Sequence, residues 1–116
     1  MIGIVLLAAA ASAAAPVMPP PLRGEWDLPS RCQTKFSDSR LIIRTGEAVF
    51  VELVFTPKRI LNKKLSAWEA TGQFNESGEV FEGRLALHLG PNGRSLSYVD
   101  ANNRTVRLTL CARSVS

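Results

Sequence analysis

The sequence predicts a small all-β protein, an antiparallel meander that closes into a seven- or eight-stranded barrel or half-open barrel stapled by one disulfide. Apolar residues alternate with period two over several short runs, and no run sustains the 3.6-residue period of an amphipathic helix. Turn-forming residues separate the runs at hairpin spacings. The only two cysteines, Cys32 and Cys111, stand at either end of the alternating region. A two-sheet sandwich is the alternative, because neighbouring strands pair in the same way in both and closure is not a local property.

The chain of 116 residues opens with an uncharged apolar segment, Met1 to Leu7, that runs into alanines up to Ala15. Ala11-Ser12-Ala13 has the small-residue pattern of a secretory cleavage site, so residues 1–13 read as a signal peptide. The apolar run stops at Pro16, short of the roughly 20 residues a membrane-spanning helix needs, and no transmembrane segment is expected in the mature form. Residues 14–22, with Pro19-Pro20-Pro21, read as a Pro-rich extended tether. Residues 23–113 read as a single β-barrel-like domain, since there is material for only one core. Periplasmic or secreted localisation would oxidise Cys32 and Cys111 to a disulfide.

Within the domain, Gly24 to Asp27 is the first predicted strand. A strand around Leu41 and Ile43 precedes a longer one from Ala48 to Thr56, in which Val49, Val51, Leu53 and Phe55 share a face. A three-residue loop, Thr45-Gly46-Glu47, would set Leu41 against Val51 and Ile43 against Val49, leaving Phe50 and Val54 on the outer face. A further short strand is expected near Ile60 to Leu65. Ser77-Gly78 predicts the clearest hairpin, pairing Phe74 with Phe81, Gly72 with Gly83, Ala70 with Leu85 and Trp68 with Leu87. Asn92-Gly93 would set Leu89 against Leu96 and Leu87 against Tyr98. A three-residue loop at Ala101-Asn102-Asn103 would pair Tyr98 with Val106 and Leu96 with Leu108, which puts Cys111 on the outer face.

Gly24-Glu25-Trp26 resembles the G-x-W opening of calycin-type barrels, the lipocalins and avidins, and is similar to the start of small bacterial envelope proteins with a nearby cysteine. The resemblance spans three residues. It implies a small barrel whose closed end Trp26 plugs, and it carries over no ligand-binding residue.

Signatures of catalysis are missing from the sequence: there is no G-x-S-x-G, H-E-x-x-H, phosphate-binding loop or C-x-x-C, and His88 is the single histidine. Glu76, Glu79 and Glu82 read as turn and outer-face carboxylates rather than an acid–base pair. A non-enzymatic protein without cofactor or metal is therefore expected.

Two features suggest binding. Gly72 opposite Gly83 leaves space on the inner face, and with Trp26, Trp68, Phe74, Phe81 and Tyr98 it outlines a candidate pocket for a small apolar ligand. The bland alternative is that the glycines permit sheet curvature or receive Trp26. Lys58, Arg59, Lys63 and Lys64 form the densest basic stretch, expected in the connection after Thr56, and with the net charge of +4 they suggest an anionic envelope component as partner. The alternative there is a solvated loop or a lysine-protected sheet edge. Nucleic acid is not expected for an exported chain. The combined expectation is a binding or interaction module of the cell envelope, with a structural envelope component or an inhibitor of a secreted hydrolase as alternatives.

Overall fold

The computed structural model describes residues 15–113; the expected signal peptide, residues 1–13, lies outside the described residues. Eight strands follow one another around a closed antiparallel barrel. They are β1 (Gly24–Asp27), β2 (Leu41–Ile43), β3 (Ala48–Phe50), β4 (Leu53–Asn62), β5 (Trp68–Glu76), β6 (Glu79–Leu89), β7 (Ser95–Val99) and β8 (Thr105–Ala112). Pairing of β1 with β8, Trp26 opposite Leu110, completes the ring and decides for the barrel over the sandwich.

The later hairpins have the registers their turns dictate. β5 and β6 pair Trp68 with Leu87, Ala70 with Leu85, Gly72 with Gly83 and Phe74 with Phe81. β6 and β7 pair Leu89 with Leu96, although the Gly90 N–H donates to Ser95 O and so widens the connection to Pro91–Arg94. β7 and β8 pair Tyr98 with Val106 and Leu96 with Leu108 around a loop in which Asn103 takes φ 62°, the left-handed conformation that asparagine tolerates.

The earlier strands depart from expectation. Arg44 N–H donates to Glu47 O, closing a shorter turn than the one expected, so Ile43 faces Ala48 and Ile42 faces Val49. The predicted strand from Ala48 to Thr56 is a second hairpin: the chain reverses at Val51-Glu52 and pairs Ala48 with Phe55 and Phe50 with Leu53. Glu52 sits at φ 61° there, a turn without the glycine or asparagine that would announce it. Phe50 therefore points inward, against the Tyr98 ring at a centroid distance of 5.3 Å. β4 then continues through Pro57 to Asn62, absorbing the separate strand expected near Ile60 to Leu65, with register shifts after Pro57 and after Ile60. Residues Leu65–Ala67 form a 3-10 turn instead.

The expected tether is part of the fold. Met18 and Leu22 are fully buried, and the Met18 N–H donates to Thr45 O at 2.8 Å. Burial of two large apolar side chains contributes roughly 1.5–3 kcal/mol each, which a free tether would forgo. The prolines end in a 3-10 turn at Pro20–Leu22, and the Trp26 indole N–H donates to Leu22 O at 2.9 Å. Gly24 runs at φ 146°, and a Cβ there would lie 2.7 Å from Ala112 O, so glycine lets the first strand meet β8. Arg113 closes over this corner: it donates to Pro21 O and Arg23 O at 2.8 Å each, with its guanidinium 5.9 Å from the Trp26 ring centroid.

Cys32 and Cys111 form the disulfide, with Cα atoms 5.3 Å apart. It ties the connection after β1 to the outside of β8.

Candidate functional site

In a meander the connections alternate between the two ends of the barrel. The β2–β3, β4–β5 and β6–β7 connections share one end with the amino-terminal plug. The β1–β2 connection and the β3–β4, β5–β6 and β7–β8 turns share the other, which no terminal segment among the described residues covers.

A cleft of about 580 Å³ lies at that open end. One wall is the Phe50–Tyr98 pair with Val51 and Val99, and the other is the inner face of β4–β6, where Leu53, Phe74, Phe81 and Leu85 line it. Phe74 and Phe81 stack with centroids 5.4 Å apart, and Phe81 keeps 44% of its surface exposed. Burial pushes the Tyr98 phenol above its ordinary pKa, and the negative charges of Asp100 and Asp27 add to this, so it remains a neutral hydrogen-bonding group. Glu76 and Asp100 stand in the cleft wall with Ala101, and Glu79 lies directly opposite Glu76 across the hairpin. Arg84 also reaches the cleft, but its guanidinium is engaged with Glu69 at 2.9 Å. Glu76, Glu79 and Asp100 thus make the wall of the cleft formed by the β5–β6 hairpin and the start of the β7–β8 turn acidic in a protein of net charge +4.

Of the seven expected pocket residues, Phe74, Phe81 and Tyr98 line this cleft. Trp26 and Trp68 do not, being 0% and 1% exposed within the core. The space between Gly72 and Gly83 is filled. A Cβ at Gly72 would sit 2.9 Å from the Phe55 ring and from Pro57 Cα, and one at Gly83 would sit 2.6 Å from the Phe74 ring. Gly83 lets the Phe74 ring lie flat on the sheet and Gly72 lets the β4 backbone at Thr56 and Pro57 approach closely, so neither empties a pocket, and Trp26 is bound at the far end. Phe50, Leu53 and Leu85 were missed as cleft residues. Phe50 was hidden by the unsignalled turn at Glu52, whereas Leu53 shares the inner parity of Phe55 and Leu85 that of Phe81, so both were legible in principle.

The basic candidates divide. Lys58 and Arg59 are exposed on β4 rather than in a loop, while Lys63 and Lys64 lie in the β4–β5 connection at the plugged end. No acidic side chain among the described residues pairs with any of the four.

A groove of about 560 Å³ runs outside the barrel, between Ile42, Val49 and the connection carrying Lys35 and Phe36. Beside it Asp27, fully buried, accepts from Ser39 Oγ at 2.5 Å and from the Leu28 N–H at 2.7 Å, and Arg40 Nε lies 3.2 Å from its other oxygen as an ion pair without hydrogen-bond alignment. Burial pushes the Asp27 carboxyl up, but hydrogen bonds from Ser39, Ser37 and Leu28 with the Arg40 charge outweigh it and hold the carboxyl below its ordinary value. This cluster anchors the connection that carries Cys32. His88 is exposed, and its Nδ1–H donates to Ser66 O at 2.8 Å.

No family model, curated protein or solved structure matches the chain.

Proposed function

We propose that this protein is an exported binding module of the cell envelope, related in design to calycin-type barrels, that takes a small apolar group in the open-end cleft. The observation that carries this reading is the aromatic lining of exposed Phe81 and half-buried Phe50, Phe74 and Tyr98 around a cleft of about 580 Å³, within the size range of small-molecule sites. A core residue gains by leaving water, and Phe81 at 44% exposure has not done so. The plug at the other end supports the same reading: with Trp26, Met18 and Leu22 filling that end, the open end is where a ligand enters. Titration with the neutral fluorophore N-phenyl-1-naphthylamine tests it. Saturable enhancement that falls at least tenfold in Phe81→Glu is expected. Enhancement that stays linear with concentration, or is unchanged in the variant, overturns the reading.

A second reading rests on the other end, where Arg23, Arg44, Lys63, Lys64, Arg94 and Arg113 gather around the plug. Such a cationic face suits docking to an anionic envelope surface. Gln at Lys58, Arg59, Lys63 and Lys64 together with Arg23 and Arg94 should abolish retention on anionic vesicles at low salt, and unchanged retention would remove this reading.

A further inference from the structure

Ring closure is uneven. β6 pairs with β5 along nearly all of its length, from Glu79 opposite Glu76 to Leu87 opposite Trp68, but with β7 only at His88 and Leu89. Among the described residues, β6 from Glu79 to Ala86 thus presents a free sheet edge, and that edge is one lip of the apolar cleft. β4 supplies a comparison within the same sheet. Beyond Phe55 it too is paired on one side only, yet there it carries Pro57, which has no N–H to offer, followed by Lys58 and Arg59. Proline and lysine are the usual means of blocking an edge. The β6 edge, Val80-Phe81-Glu82-Gly83-Arg84-Leu85, has no proline, and Val80 and Phe81 are exposed on its two faces.

Charge selects the occupant. Glu76 and Glu79 are directly opposite one another, a like-charge pairing that costs the hairpin stability. Glu82 and Asp100 lie on either side of the same seam, and no basic side chain among the described residues pairs with any of these four.

Resting on the cleft reading above, we propose that the occupant is an extended, lysine- or arginine-rich polypeptide segment, which adds as a strand to β6 and inserts alternate apolar side chains beside Phe81. Main-chain hydrogen bonds to the edge give the affinity and the Phe74–Phe81–Tyr98 cleft selects an apolar side chain at every second position; Glu82, on the opposite face of β6, selects a cation between them, and Glu76 and Glu79, on the Phe81 face at the hairpin end, select a cation where the apolar positions stop.

The test uses the disulfide-intact protein and the synthetic peptide Ac-Lys-Phe-Lys-Val-Lys-Phe-Lys-NH2. Calorimetry is expected to show one-to-one binding that weakens at least tenfold when alternate peptide amides are N-methylated. A similar loss is expected when the lysines are replaced by glutamates, and a loss of about fivefold in Glu76→Gln/Glu79→Gln. Hydrogen exchange should slow at β6 amides between Glu79 and Ala86 and not in β4. Peptide binding that ignores N-methylation, or leaves β6 exchange unchanged, overturns strand addition. Saturable N-phenyl-1-naphthylamine binding without peptide binding overturns the peptide and keeps the cleft, whereas loss of both removes the two readings together. A dimer by light scattering, with β6 amides protected before peptide is added, assigns the edge to a second copy and likewise overturns the proposal.

Discussion

The two ends of this barrel solve opposite problems. At the plugged end the side chains that fill the barrel are covered: Trp26, Met18 and Leu22 are 0% exposed, and the amide, indole and guanidinium donors of Met18, Trp26 and Arg113 reach backbone carbonyls. At the open end Phe81, Val51 and Val99 remain 44–55% exposed, and Glu76, Glu79, Glu82 and Asp100 have no ion-pair partner among the described residues. One end is built to hold the ring together and the other to meet something. The contrast teaches that stability and recognition are separated along the barrel axis, so substitutions at the two ends should give different kinds of effect.

The largest expected effect is at the plug. Trp26→Ala should destabilise the protein by about 3–5 kcal/mol in urea unfolding, through lost burial and the cavity left behind. A loss under about 1 kcal/mol would break the contrast. Next is the staple: Cys32→Ser/Cys111→Ser releases a loop with a sequence separation of 79 and should cost about 2–4 kcal/mol by thermal unfolding.

Asp27→Asn should cost about 1–3 kcal/mol near neutral pH, because Arg40 loses its charged partner. Since the folded-state pKa of Asp27 is depressed, its contribution is complete above the unfolded value of about 3.9 and disappears as pH falls through the folded value. Wild type and variant should therefore converge in stability below that pH. A gap that persists in acid would assign the effect to packing instead of charge. The smallest effect belongs to the open end, where Phe81→Ala should change stability by less than about 1 kcal/mol, since the side chain is already half in water. A larger loss would make Phe81 part of the core and weaken the case for a site.

Legibility in the sequence followed the turns. Ser77-Gly78 and Ala101-Asn102-Asn103 name their own loop lengths, because Gly78 at φ 94° and Asn103 at φ 62° occupy conformations most residues avoid, and loop length fixes register. Glu52 takes the same left-handed region with an ordinary side chain, so the β3–β4 hairpin was invisible, and with it the inward direction of Phe50. Three cleft aromatics were legible as inner-face residues. Their separation from Trp26 and Trp68 was not, because parity reports which face a side chain occupies and says nothing of its height along the barrel.

The sequence by itself determined an all-β antiparallel chain, the strand partners and registers of its second half, and the Cys32–Cys111 pairing. Period-two alternation and turn chemistry are local, and the only two cysteines leave a single intrachain pairing. Only the tertiary structure decided that β1 meets β8, that the proline segment is a plug and that β6 keeps a free edge beside an acidic cleft. Those depend on where strands of unequal length end relative to one another around a closed ring, a distance through space that no local pattern encodes.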